Sequence, residues 1–320
     1  MLLQGVEGGT AEAARTSGGG RGGGIGIRLL EAPVIRRKDP RARSGVIDHL
    51  TPGTTIKRRF QVTNTTREPR HIELYAAAAT IDHHRFAFAP DRTPNELTTW
   101  TSLDTSAVDV PPHETRNARF TIKVPKNAPP GEQYAVIWAE TGVRPDREHN
   151  VGLVNRVGIR VYLDVGPGGE PASDMRIEQL TPARTADGRP EIIAQVHNTG
   201  GRALDMSGAL SLSGGPGGLR AGPYPAMLGV TLARGDTAPV TVVLDKRLPN
   251  GPWTAELTLR SGLLKQTVSA RVTFPTSGIG RPVAAQTSNR LPLTFALIGL
   301  ATALAVGTLM LARHRQSRRR

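Results

Sequence analysis

The stretch QVTNTT, residues 61–66, returns almost unchanged as QVHNTG at residues 195–200. Along the chain that leads into the first copy, apolar residues such as Phe60 and Val62 alternate with polar residues such as Arg59, and the same alternation leads into the second copy. This period of two is typical of a half-buried strand, and an Asn-Thr pair at its end is typical of a turn. The motif therefore predicts the end of a strand, used twice in one chain.

The same order of elements follows each copy. Residues 119–140, RFTIKVPKNAPPGEQYAVIWAE, read as an alternating strand, a turn rich in proline, asparagine and glycine, and another strand. Residues 239–261, PVTVVLDKRLPNGPWTAELTLRS, repeat that order. We therefore predict an all-β chain with two immunoglobulin-like β-sandwich domains followed by one C-terminal transmembrane helix.

The domain boundaries are predicted from changes in composition. Proline, glycine and serine crowd into GPGGEPASD, which is typical of a linker. The predicted parts are a disordered glycine-rich segment read as the remnant of a leader (1–25), a first β-sandwich (26–165), the linker (166–174), a second β-sandwich (175–275), a stalk (276–290), the transmembrane helix (291–312) and a basic cytoplasmic tail (313–320).

The segment LPLTFALIGLATALAVGTLMLA, Leu291–Ala312, contains no charged residue. As a helix it would extend roughly 33 Å, which is enough to cross the hydrocarbon core of a membrane. Five arginines in the eight residues that follow predict that this end stays in the cytoplasm. We therefore predict a single-pass protein of the cell membrane, with its N-terminal domains extracellular and its C-terminus cytoplasmic.

Export of the domains requires a leader, and residues 1–24 have no apolar stretch of the length that a signal peptide needs. We interpret this as a start assigned too far downstream; a lost signal and an inverted, tail-anchored orientation are the alternatives. Leu291–Thr294 also matches the beginning of a sortase sorting signal, although Phe295 stands where that motif has glycine. Covalent wall attachment is thus the alternative to a permanent membrane anchor.

Composition excludes several classes of function. The chain has no cysteine, so disulfides, zinc–thiolate sites and thiol nucleophiles are ruled out. Its formal charge of +14 is concentrated partly in the C-terminal tail and partly in residues 28–43. Because no nucleic-acid-binding motif accompanies the charge, we expect no nucleic-acid partner.

The first half of the chain resembles a known family. The residues that carry the likeness are DHLTPGTTIKRRFQVTNTT (48–66), IELYAAAATID (72–82), FAFAPDRTPNELTTWTSL (86–103) and VPPHETRNARFTIKVPKNAPPGEQYAVIWAE (110–140). They resemble the peptidoglycan-binding domain of the WxL-interacting proteins, above all the membrane-anchored actinobacterial type. The resemblance implies an exported envelope protein that binds a cell-wall polymer or a wall-bound partner.

The sequence contains only weak matches to motifs for catalysis, metal binding or phosphate binding. Asp82-His83-His84 is similar to the DHH signature of metal-dependent phosphoesterases, but a solvated hairpin turn is the better interpretation of so short a motif. The acidic residues of 91–109 could serve a glycosidase only if a cleft brought two of them together. Residues 214–223 are glycine-rich but lack the Lys-Ser/Thr of a phosphate loop. We predict no catalytic residue, no metal site and no cofactor.

Three residues are predicted to contact a ligand. Trp100 lies in the long connection between strands, where an exposed ring could stack on a sugar, whereas Trp138 and Trp253 fall on inward faces. Lys57 and Arg59 share the outward face of one strand and could meet an anionic polymer, although a solvated strand face explains them equally well.

These observations lead to one predicted function and one alternative. The first is a non-enzymatic, membrane-anchored protein that binds peptidoglycan or another wall component, with a second surface protein as a further expected partner. The alternative is an envelope scaffold or assembly factor that acts through protein–protein contacts at the edges of its sheets.

Overall fold

The computed structural model describes residues 24–143 and 153–287. They are mostly β-strand, with one short helix, Glu96–Thr99 (α1), and three 3-10 turns at Val34–Arg36, Pro40–Arg43 and Pro216–Gly218. The strands up to residue 165 are Ile25–Leu29 (β1), Gly45–Leu50 (β2), Thr55–Asn64 (β3), Arg70–Asp82 (β4), Arg85–Phe88 (β5), Thr101–Leu103 (β6), Ala107–Val110 (β7), Thr115–Lys123 (β8), Gly131–Val143 (β9) and Leu153–Val165 (β10).

The strands that follow are Arg176–Arg184 (β11), Pro190–His197 (β12), Leu204–Asp205 (β13), Ser207–Ser213 (β14), Ala221–Pro225 (β15), Thr231–Leu232 (β16), Thr237–Val243 (β17), Trp253–Ser261 (β18), Leu264–Val272 (β19), Val283–Ala284 (β20) and Gln286–Thr287 (β21). The described residues up to Ala285 form one compact unit, whereas β21 belongs to a separate one. The prediction of a mostly β architecture is confirmed for the described residues, whereas the predicted C-terminal transmembrane helix is not supported.

The strands up to β10 form a first sandwich of two facing sheets. One sheet has the order β1-β3-β8-β6, and the other has the order β2-β10-β9-β4-β5, with β7 also paired to β4. Their inward residues alternate along each strand and share one apolar core. The largest fully buried members of that core are Phe60, Phe120, Ile72, Leu97, Ile122, Ile137, Ile159 and Leu163.

A second sandwich follows residues 166–174. One of its sheets has the order β17-β12-β11-β20, and the other contains β15-β14-β18-β19, with β13 and β16 paired beside them. Trp253 is buried in its core, and its indole N–H donates to the carbonyl of Pro249 at 2.9 Å. Gly215 packs against the same ring, where a Cβ would come within 2.2 Å of it.

In each sandwich, the strand that contains the repeated motif ends at a buried asparagine. Asn64 is fully buried, and its amide nitrogen lies 2.7 Å from the carbonyl of Glu68, 3.0 Å from that of Val110 and 3.2 Å from that of Pro111. Its amide oxygen accepts the backbone N–H of Thr66 at 2.9 Å. The side chain of Asn64 therefore connects its own turn by hydrogen bonds to a loop 46 residues away.

Asn198 repeats this arrangement in the second sandwich. Its amide nitrogen donates to the carbonyls of Arg202 at 2.8 Å and Ala233 at 2.9 Å, and its amide oxygen accepts the N–H of Gly200 at 3.0 Å. It is also buried. A buried amide with every donor and acceptor paired is a rigid connection, which explains why the same string stands at both places.

Among the described residues no helix is long and apolar enough to cross a membrane. This finding contradicts the predicted single-pass localisation with extracellular domains and a cytoplasmic C-terminus, which we do not retain. The segment on which that prediction depended, 291–312, lies outside the described residues, as do the glycine-rich start and the basic tail.

Candidate protein-binding edge

One long strand of the first sandwich is only half covered along one of its edges. On one side β10 pairs with β9 over its full length, from Leu153 to Val165. On the other side it pairs with β2 in parallel, and only from Arg160 to Val165. Residues 153–159, which we call the open edge, therefore present backbone N–H and C=O groups that no neighbouring strand of the described chain takes up. Such a row of groups is a template for pairing with another strand.

The inward side of the open edge becomes more exposed toward its free end. Ile159 is buried in the core of the first sandwich, Val157 is half-buried against that core, and Asn155 is exposed. An apolar surface thus reaches the rim of the sandwich at the place where backbone groups are unpaired. An added strand could pair with these groups and bury apolar side chains in the same step.

The outward side of the open edge is held in place by stacked rings. The guanidinium of Arg156 lies 4.6 Å from the ring centroid of Trp138, and that of Arg160 lies 5.0 Å from that of Phe86. Gly158 leaves room for this layer, because a Cβ there would come within 2.6 Å of Val136 and 2.7 Å of the Trp138 ring. The open edge is therefore a supported strand, and cation–π contacts of this kind add to its support.

The facing sheet also ends in an edge strand at this rim. β1 pairs only with β3, through residues Ile25 to Leu29, and its other edge has no partner strand in the described chain. Its inward residues belong to the same core as those of β10, and a Cβ on Gly24 would lie 3.6 Å from the amide nitrogen of Asn155. The two edges therefore flank one seam between the sheets.

The second sandwich contacts the other end of β10 and its neighbour β2 through one buried arginine. Arg202, only 2% exposed, donates from Nε to Glu132 at 2.8 Å and from a terminal nitrogen to the carbonyls of Asp48 and Tyr162, both at 3.3 Å. A further terminal nitrogen of Arg202 pairs with Glu170. Because Asp48 belongs to β2 and Tyr162 to the part of β10 that β2 covers, these contacts attach the second sandwich beside residues 160–165 and not beside 153–159.

Tyrosines on the outer face of this sheet donate to carboxylates. The hydroxyl of Tyr75 donates to Glu140 at 2.6 Å, and that of Tyr162 donates to Asp205 at 2.9 Å. Burial, followed by the bond to Glu140, raises the pKa of Tyr75 to about 12. Burial likewise raises the pKa of Tyr134, Tyr162 and Tyr224 above the usual tyrosine range.

Because all four tyrosines have a raised pKa in the fold, we expect little tyrosinate at pH ~10, where an unfolded chain would be half ionised. A folded pKa above the unfolded value gives stability that is complete below pH ~10 and is lost as the pH rises through 12, the value for Tyr75. Ultraviolet titration of the folded chain, with the urea-unfolded chain as control, measures this. Ionisation of the folded chain at the ordinary tyrosine pH would contradict it.

The structure does not bring the three predicted ligand residues together. Trp100 ends α1 and is half-buried against the core of the first sandwich, so its ring is not a free stacking surface. Lys57 and Arg59 are exposed on the outer face of β3, as predicted, and Arg59 donates from Nε to Glu31 at 2.6 Å. Trp253 is buried in the core of the second sandwich, as predicted. Trp138 is also buried, but it lies with Tyr75 and Val136 on the outer face of β9 and not on the inward face that alternation predicted.

The Asp-His-His triplet forms the turn between β4 and β5. His83 and His84 adopt left-handed backbone angles, with φ of 46° and 58°. The carbonyl of His84 accepts the N–H of Thr231 at 2.8 Å, so this turn contacts the second sandwich. In the part of the chain that the structure describes, no group of histidine and acidic side chains is arranged to hold a metal ion.

Sequence reasoning missed the open edge. Apolar residues alternate at Val157, Ile159 and Val161, which indicates a strand, whereas β10 begins earlier, at Leu153. Alternation shows which side chains point inward and is silent on which backbone edge has a neighbour. The only available signal was the change from apolar alternation to exposed residues at Val154 and Asn155.

Comparison with protein-family models and with curated proteins gives no match. Among solved structures, the chain is similar to the class 5 fimbriae chaperone CfaA, with 14% identity, a TM-score of 0.36, and coverage of 78% of this chain and 100% of that one. It is similar to the E. coli chaperone DraB at 11% identity and a TM-score of 0.37, covering 76% and 95%. The Salmonella enterica SafA pilin–SafB chaperone complex gives 10% identity and a TM-score of 0.39, covering 82% and 95%.

These findings correct the predicted function. The matching structures named above are of chaperones, one of them a fimbriae chaperone and one bound to a pilin, and the described residues contain no membrane-spanning helix. Trp138 and Trp253 are buried, and Trp100 is half-buried against the core of the first sandwich. A membrane-anchored peptidoglycan-binding protein is therefore wrong as a prediction. The resemblance to the WxL-interacting family, which no family match tests, stays a prediction.

Proposed function

We propose that this chain is a non-catalytic assembly factor, built from two immunoglobulin-like β-sandwiches, that binds an extended segment of a partner protein at the open edge of β10. The observation that carries the proposal is the pairing of β10, which has β9 on one side throughout but β2 on the other only from Arg160 onward.

The physical basis is the combination of unpaired backbone and apolar surface at one place. A strand added beside residues 153–159 would gain main-chain hydrogen bonds, and its alternate side chains would cover Val157 and the neighbouring half-buried Ile27 of β1. Main-chain bonds are similar for every sequence, so selectivity would come from the side chains that enter the seam.

Panning a random nine-residue peptide library against the full chain tests this function. We expect enriched peptides to carry apolar residues at alternate positions and to protect the amides of 153–159 from hydrogen exchange. N-methylation of alternate peptide nitrogens is expected to abolish binding, because it removes the donors that a strand pair needs.

A matched pair of variants sharpens the test. Val157→Asp places a carboxylate on the inward side of the open edge, and we expect it to weaken peptide binding about tenfold or more, since a buried unpaired charge is costly. Val154→Asp makes the same change on the outward side of the same strand, where Val154 is 60% exposed, and should leave binding unchanged. No enrichment, or enrichment of peptides that bind both variants equally, would count against the proposal.

A further inference from the structure

The outer face of the β1-β3-β8 sheet carries five exposed basic side chains. They are Arg28, Lys57, Arg59, Arg119 and Lys123. Arg59 is paired with Glu31, whose pKa is lowered by that contact. Among the described residues the other four have no acidic partner; Arg28 donates instead to the amide oxygen of Gln61 at 2.7 Å. We call this surface the basic face.

The basic side chains follow successive rows of the sheet. The register places Lys123 opposite Thr55, Lys57 opposite Thr121, and Arg59 directly opposite Arg119. Arg28 of β1 lies in the next row, opposite Gln61. Same-face rows are separated by two residues, or about 7 Å, so positive charge recurs at that interval along roughly 20 Å.

The internal repeat shows that this charge is specific to the first sandwich. When the motif asparagines Asn64 and Asn198 are superposed in register, β12 and β17 of the second sandwich take the places of β3 and β8. In this superposition Glu191 takes the place of Lys57, and Ile193 that of Arg59. Thr241 takes the place of Arg119, and Asp245 that of Lys123. The fold thus needs no cation at these places, and an arginine-rich composition would have favoured both faces equally.

Directly opposed arginines also have a cost. Like charges facing each other across an antiparallel pair destabilise a sheet, and Arg59 and Arg119 are such a pair. Asp104 is near but accepts the backbone N–H of Arg119 at 2.9 Å, not its guanidinium. An anionic partner spanning the rows would relieve this repulsion.

We propose that the basic face binds an extended, acidic segment of a partner protein. An extended chain with an acidic residue at every second position presents its carboxylates about 7 Å apart on one side, which matches the rows. The face is separate from the open edge, so this inference does not depend on the function proposed above. A second contact of this kind would accelerate association as well as add affinity.

Fluorescence anisotropy with a labelled ten-residue peptide of alternating glutamate and serine tests the proposal on the full chain. We expect the glutamate peptide to bind, and its affinity to fall as the salt concentration is raised. It should also bind far more tightly than the same peptide with glutamine in place of glutamate. A duplex DNA of similar charge is the competing probe. DNA binding as tightly as the peptide, or equal binding of the two peptides, would overturn the proposal.

The second sandwich supplies the substitutions for a variant that lacks part of the basic face. Lys57→Glu with Arg119→Thr installs the residues that the second sandwich carries at the same positions, so the strands should tolerate them. Exposed charge pairs change affinity by about 1.5- to 5-fold each, and reversal of one charge adds repulsion, so we expect roughly a tenfold loss. The control, Lys265→Glu with Arg271→Thr, makes the same changes on the outer face of β19 and should bind like the unaltered chain. Equal loss in both double variants would contradict a specific face.

Discussion

Replacing Arg202 by methionine is expected to lower the free energy of unfolding by about 3 to 5 kcal/mol, the usual cost of removing one partner from a buried ion pair. Its guanidinium is 2% exposed and is bound by Glu132, Glu170 and two backbone carbonyls. Without it, the nearly buried carboxylate of Glu132 would lose its charge partner. Urea unfolding measures the change through the midpoint and slope.

Two further variants separate this cause from a general effect of removing an arginine. Arg176→Met, at an exposed position of β11, should stay within about 0.5 kcal/mol of the unaltered chain. Adding Glu132→Gln to Arg202→Met should recover part of the loss, because a neutral amide is less costly to bury than an unpaired carboxylate. If Arg176→Met and Arg202→Met cost the same, the buried pair does not stabilise the junction between the sandwiches.

Asn64→Asp is expected to destabilise the first sandwich by about 3 kcal/mol or more. The substitution keeps the shape of the side chain but turns its N–H donor into an oxygen facing the carbonyls of Glu68, Val110 and Pro111. Three bonds become three repulsions at a fully buried site, and unsatisfied buried groups cost about 1 to 3 kcal/mol each.

Asn198→Asp is the matched change in the second sandwich and should have a similar cost, since its amide faces the carbonyls of Arg202, Leu232 and Ala233. Asn117→Asp, on the exposed face of β8, is the control and should change stability little. Thermal and urea unfolding report all three. A small effect at both buried sites would show that the motif is a turn signal only, without the cross-loop bonding described above.

The repeated motif shows which part of the fold can be predicted from the sequence. Alternation and the Asn-Thr pair correctly predicted strand ends and turns at Asn64 and Asn198, because these depend on neighbouring residues. The bonds of Asn64 to Val110, and of Asn198 to Leu232, could not be predicted, since they join loops 46 and 34 residues apart. Local pattern gives the element, whereas its distant partner depends on the topology.

The open edge could not be predicted from the sequence for the same reason. Its existence depends on β2 covering only part of β10, a parallel pairing that no local signal encodes. For Trp100, a long connection predicted an exposed ring, whereas the structure places this ring half-buried against the core beside α1. Lys57 and Arg59 were placed correctly on an outward face, since strand alternation alone decides that.

The parallel pairing of β2 with β10 also has a consequence for synthesis of the protein. Gly45 is translated about 115 residues before its partner Arg160. Until then the nascent chain carries β2 and the first apolar strands without the neighbour that closes their sheet, and pairings of such long range form slowly. We therefore expect the first sandwich to fold only when translation has passed Val165, which leaves the incomplete chain dependent on cellular protection from aggregation during that interval.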